Sequence, residues 1–337
     1  MRQAAFALFI GSWLAASLPA ADQRLVNMIM PDAKTIAGVN VDSARNSPFG
    51  SFVLSQLPAS DARFQKFVEA SGFNPRADLQ EILVATAGTP AIPSDAAAST
   101  AAGKLASPPE MKGLIMARGN FHVEKISSLA KADGKQNIET YNGATLISDP
   151  KDASASAMAF LGADILLAGD PQMVRAAIDR RSQANTLDPL LTGKVNALSA
   201  SQDAWAVSIA PLSSLNAGAG TDPMMQGALG GDIFKKITET SGGIKFGSLI
   251  QLTTELVAMD EKNATALGDV LKFLAGMVTL NAGSPKGAPP ILVTILQSLN
   301  VQTQGNVVNV TMSAPEDQVE SLIHSMHSAA KQSGAKI

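Results

Sequence analysis

Residues 305–326, GNVVNVTMSAPEDQVESLIHSM, hold the pattern that decides the fold. Gly305-Asn306 reads as a tight turn, and residues 307–313 then alternate, with Val308, Val310 and Met312 on one side of an extended strand. Pro315 is then expected to open a helix, with Val319, Leu322, Ile323 and Met326 at helical spacing on its packed side. The same order occurs at 163–178, ADILLAGDPQMVRAAI. There a strand from Asp164 to Ala168 runs into Asp170, a helix cap. Pro171 takes the first helical position, and Val174, Ala177 and Ile178 form the inward stripe.

Upstream of each copy lies a strand leading into a helix, at 113–132 and at 244–280. This predicts an internal duplication of a β-α-β-β-α unit. The expected class is α+β, with two lobes of antiparallel-rich sheet and helices packed on one face. Asn142-Gly143 links two alternating segments as a hairpin, and a further strand is expected over Ser156 to Leu161. Toward the N-terminus, a strand over Thr35 to Val41 places Ala37, Val39 and Val41 together, and a helix starts at Pro48 behind a Ser47 cap. A helix over Asp61 to Ser71 carries Phe64, Phe67 and Val68 and stops at Gly72, ahead of a buried strand over Glu81 to Ala85.

The first residues read as an export signal: Arg2, an apolar run from Ala4 to Leu18, then small residues with cleavage expected between Ser17 and Ala21. The run is shorter than the ~20 residues a spanning helix needs, and an uncleaved segment would be the chain's one contact with a membrane. The expected organisation is a signal peptide at 1–21, an N-terminal lobe at 22–215 and a C-terminal lobe at 233–337. A mobile Pro/Ala/Ser loop is expected at 89–110, and a flexible Gly/Met loop at 216–232. The chain is therefore expected to be periplasmic or extracellular. With no cysteine it forms no disulfide and no thiolate metal site, so burial must stabilise it, and 46% apolar against 16% charged residues suits that. A net charge of -3 with no basic stripe argues against nucleic acid as a partner.

In its signal, its strand at Thr35 to Asp42, its Ser47-Pro48 helix start and its repeated strand-helix units, the chain resembles a loose set of exported bacterial proteins of unknown function. That resemblance covers most of the chain and implies no activity and no functional residues.

Reactive groups are sparse. His324 and His327 share a helix with Glu320, but a solvated helix face explains them and no fourth ligand is evident, so no metal site is assigned. His122 opens another helix and is expected to be exposed. Ser-x-x-Lys occurs at Ser128, Ser328 and Ser333 without companion motifs, and no nucleophile elbow or phosphate loop is present. No catalytic residue and no cofactor follow from the sequence. Two apolar features remain. The 216–232 loop sets Met224, Met225 and Leu229 among glycines, where adaptable side chains suit apolar partners. The helices at 264–280 and 290–299, with Leu274 and Met277, have little polar face and should be covered on more than one side.

The function these features imply is a non-enzymatic interaction or scaffold module of the cell envelope, with an envelope protein as partner. The alternative is a periplasmic carrier of an apolar or lipid-like ligand, with the helices as wall and the loop as cover. A third reading is a hydrolase whose site assembles only in the fold.

Overall fold

The computed structural model describes residues 20–55, 62–87, 113–134, 136–151, 156–184, 186–211, 233–280 and 290–332. The 1–19 part of the signal, the 89–110 and 216–232 loops, and with them Met224, Met225 and Leu229, lie outside the described residues.

Backbone hydrogen bonding builds one antiparallel sheet of twelve described strands. In chain order these are β1 (Thr35–Asn40), β2 (Leu79–Thr86), β3 (Gly113–Gly119), β4 (Asn137–Tyr141), β5 (Ala144–Ser148), β6 (Ala157–Leu161), β7 (Ile165–Gly169), β8 (Ala204–Ser208), β9 (Ile237–Lys245), β10 (Leu249–Ala258), β11 (Asn300–Gln304) and β12 (Val307–Pro315). The described helices are α1 (Gln23–Val26), α2 (Val41–Arg45), α3 (Pro48–Ser55), α4 (Ala62–Ser71), α5 (Pro75–Asp78), α6 (Val123–Asp133), α7 (Pro171–Arg180), α8 (Pro189–Ser201), α9 (Glu261–Leu280), α10 (Pro290–Leu296) and α11 (Glu316–Gln332). The fold is α+β, as the periodicity predicts.

Strand order is β11-β12-β10-β9-β8-β1-β2-β3-β7-β6-β5-β4. Reading outward from the central β8·β1 pair, one side runs β8-β9-β10-β12-β11 and the other β1-β2-β3-β7-β6, with the β4-β5 hairpin added at that edge. Each half thus contains strand, helix, hairpin, helix in the same spatial order, with β3, α6, β6, β7 and α7 matching β10, α9, β11, β12 and α11. The halves meet with Ala37 opposite Ala206, so one sheet runs through both stretches.

Local chemistry sets the boundaries. Asp170 accepts hydrogen bonds from the Gln172 and Met173 amides at 2.8 and 3.2 Å, fixing the start of α7 behind Pro171. Asn142 and Gly143 take positive φ of 45° and 79°, the geometry a two-residue β4-β5 turn needs. Val41 opens α2 instead of extending β1, because the Asn40 side chain caps the Ser43 amide at 2.9 Å and bends the chain there. Similarly, Pro315 closes β12, and α11 starts one residue later at Glu316.

The two sheet faces are covered differently. On one, Leu83, Leu114, Met116, Leu146, Leu167 and Val207 pack under α1, α7 and α8 in the largest core cluster. On the other, Ile82, Ala117, Ile147 and Phe160 meet Phe73, Phe121 and Ile126 from the α4 to α6 region. Register places Leu256 and Val308 on this second face too, where Ala264 and Leu267 of α9 cover them. Trp205 packs on the first face against Gly38 of the neighbouring strand. A Cβ at Gly38 would lie 2.4 Å from the ring, so the absence of a side chain there makes room for the indole.

Candidate functional site

The helix α9 carries the most exposed apolar surface. Asp260 caps its start by accepting from the Asn263 amide at 2.8 Å. Ala264, Leu267 and Gly268 then turn inward, with Gly268 so close to β11 that a Cβ would come 2.6 Å from Thr303 Oγ1. At ~100° per residue, Val270, Phe273, Met277 and Leu280 gather on the side turned away from this stripe, whereas Leu274, seven residues from Leu267, falls back beside it. Phe273 is 62% exposed and Leu280 86%, while Val270, Leu274 and Met277 are half-buried. The structure therefore places Met277 beside Phe273 and Leu280, and Leu274 on the inner flank next to Leu267. The sequence predicts a helix covered on more than one side; the described chain covers the inner stripe and packs α10 against a second flank, and it leaves Phe273 in water.

A second apolar feature lies at the middle of the sheet, on the face shared by the α6 and α9 clusters. Here β1, β8 and β9 present Ala37, Val39, Ala204, Ala206, Gly242 and Ile244; Ala206 is exposed despite its central position, and Val39 is 36% exposed. Of these, Ala204, Ala206, Gly242 and Ile244, with Leu252 and Thr254 of β10, floor a cleft of about 390 Å³ that is open to solvent. None of its lining residues belongs to α9 or α10, so Leu274 and Met277 do not form its wall.

Several polar groups near these features have structural partners. A cleft of about 480 Å³ between α2 and the end of β9 contains the buried Asp203, whose two carboxylate oxygens accept from Lys245 Nζ at 2.9 Å and the Phe246 amide at 2.7 Å. Lys194 of α8 pairs with Glu255 and lies 3.7 Å from Glu239. His122 stands exposed at the start of α6, and His324 of α11 makes an edge contact with Phe52 of α3, ring centres 5.2 Å apart. Ser128 Oγ donates to the Glu124 carbonyl, one helical turn back, at 2.8 Å. The His327 side chain and Ser333 lie outside the described residues, and among the described residues no three of His, Asp and Glu gather as metal ligands.

A charged cluster near the N-terminus is legible only in three dimensions. The Asp22 amide donates to both oxygens of the buried Glu81 carboxylate, at 3.2 and 3.3 Å. Arg118 Nε lies 3.5 Å from Asp22 and 3.6 Å from Glu81, and Arg24 bridges Asp22 and Asp164 at 2.8 and 2.6 Å. Burial pushes the Glu81 carboxyl above the ordinary carboxylate range, against the pull of the Asp22 amide and Arg118. Burial acts on Asp22 in the same sense, but hydrogen bonds from Arg24 outweigh it and hold that carboxyl below its ordinary value.

The sequence reading assigns no element to α8, β8 or the β1·β8 contact. Two local signals mark them: Asp188-Pro189, the same cap and first-turn proline as at Asp170-Pro171, and the alternation of Trp205 and Val207 between alanines.

No family model matches the chain, and no curated protein matches it in sequence. Among solved structures it is similar to crystal form I of TP0453, at 8% identity and a TM-score of 0.44, over 89% of this chain and 96% of that one. At that level the likeness carries no functional argument.

Proposed function

We propose that this is an exported, non-enzymatic interaction module of the cell envelope, and that the outer side of α9 is its contact surface for a protein partner. The observation that carries the proposal is the exposure of Phe273 and Leu280, in line with half-buried Val270 and Met277. An isolated exposed apolar residue needs no explanation, whereas a continuous helical stripe of them does. Burying one such side chain is worth ~1.5–3 kcal/mol, so two exposed anchors with two half-buried neighbours supply useful binding energy. Their spacing of three, four and seven residues suits a helix lying in an apolar groove of the partner. A photo-crosslinker placed at 273 in the envelope-resident protein should trap one defined partner. Phe273→Asp should abolish co-purification of that partner while leaving the protein folded.

The central cleft supports a second reading, a carrier of an apolar or lipid-like ligand, because its volume falls within the ~300–1,000 Å³ typical of ligand pockets. Its openness weighs against that reading, since a ligand lying on the floor would keep much of its surface in water. Native mass spectrometry with lipid extraction separates the two: a stoichiometric small passenger favours the carrier, and a bare chain or a defined protein complex favours the interaction module.

A further inference from the structure

The cluster at Asp22 is short of one positive charge. Three carboxylates, Asp22, Glu81 and Asp164, meet two guanidiniums, Arg24 and Arg118. The most deeply buried member is an acid, Glu81, 8% exposed, and it grips the backbone just ahead of α1 through the Asp22 amide. Just upstream the environment changes within a single residue: Ala20 is exposed, whereas Ala21 is 5% exposed and belongs to the main core cluster. A chain that kept Ala21 and lost everything before it would retain the whole core. It would also carry an α-ammonium on the residue next to the Asp22 amide that Glu81 holds.

We propose that the working chain starts at Ala21, and that its new α-ammonium is the missing cation of the Asp22, Glu81 and Arg118 cluster. The inference rests on the export reading and places the cut within the Ser17 to Ala21 window, one residue earlier than a signal ending at 21; the step in burial at Ala21, not the small-residue rule that Leu18 breaks, selects it. In the cleavage step water adds across the Ala20–Ala21 amide. The departing leader takes a carboxylate at Ala20, and the retained chain takes an ammonium at Ala21. An opposite charge within ~4–6 Å favours the charged form of a carboxylate, so the ammonium counters the effect of burial on Glu81. The charged groups around it are the side chains of Asp22 and Arg24 on its own segment, Glu81 on β2, Arg118 on β3 and Asp164 before β7. Processing thereby completes the folded state as well as releasing the protein.

N-terminal sequencing and intact mass of the protein from its own cell envelope test the proposal, and a single start at Ala21 is expected. A start at Asp22 or at any other residue, or a retained leader, overturns it. A protein recovered with the cytosol would break the export reading itself, which keeps the two failures distinct. A second measurement asks whether Glu81 is the seat. Acetylating the α-amine of the Ala21-start chain should lower the midpoint of thermal unfolding by several degrees at neutral pH, and this loss should disappear in Glu81→Gln. An equal loss in both backgrounds, or none in either, overturns the assignment.

Discussion

The helices α7 and α9 follow the same kind of strand-to-helix exit, and their outer sides differ. The inner side of α7 sends Val174, Ala177 and Ile178 into the core, while its outer side carries Gln172, Arg175 and Asp179. There Arg175 pairs with Glu139 at 2.5 Å, and Asp179 accepts from Tyr141 and Asn142 at 2.9 and 2.6 Å. The inner side of α9 sends Ala264 and Leu267 into a smaller core on the other sheet face, but its outer side carries Val270, Phe273, Met277 and Leu280. Folding alone explains α7, because a helix needs one apolar stripe and a wet opposite face. It does not explain the second stripe of α9. On this difference rests the proposal that the outer side of α9 is a contact surface.

Substitutions on the two inner sides should look alike and give the largest effects. Ile178→Ala and Leu267→Ala, at 1% and 0% exposure, should each cost ~2–5 kcal/mol in chemical unfolding, since both leave a cavity in close-packed surroundings. Markedly cheaper loss at Leu267 would mean that the second half of the sheet is loosely packed. At the centre, Gly38→Ala drives a Cβ into Trp205 and should cost ~1–3 kcal/mol by overpacking. Tryptophan emission should shift in the same titration, as Trp205 leaves its seat.

The outer sides should separate the helices by binding while leaving stability nearly untouched. Phe273→Asp and Arg175→Ala should each change stability by ~0.5 kcal/mol or less, as surface changes do. Only Phe273→Asp should remove the partner, read as lost co-purification. The smallest effect is electrostatic. In a chain with a blocked or extended N-terminus, Glu81 holds its proton more tightly folded than unfolded, so stability should fall as pH rises from the ordinary carboxylate range through its raised value. Asp22 has the opposite sign, its contribution being present above the ordinary range and lost as pH falls through its lowered value. Glu81→Gln should remove the first slope and keep the second in a pH series of thermal melts.

Much of the fold was legible because it is written locally. Asp170-Pro171, Asn142-Gly143 and Ser47-Pro48 each place a boundary by a cap, a turn or a fixed φ, and the structure keeps all three, with the Gly50 amide bonded to Ser47 Oγ at 2.9 Å. Val41 misled because alternation continued past a point where the Asn40 cap had already bent the chain. The central cleft and the Asp22 cluster were out of reach for a different reason. The cleft needs β1 beside β8, with Ala37 opposite Ala206, and the cluster needs Asp22 against Glu81 and Arg118. These contacts join distant parts of the chain, and no periodicity encodes which strand lies beside which. The α9 stripe was half legible: its apolar residues are plain in the sequence, but whether they face core or water is decided by packing.

The most direct test of the account is site-specific photo-crosslinking in intact cells, with the probe at position 273 of α9 and, as a control, at the exposed Lys125 of α6. The account predicts one discrete adduct of fixed mass from 273 and none from 125. Equal, diffuse labelling from both positions, or a clean absence of adduct from 273, would contradict it.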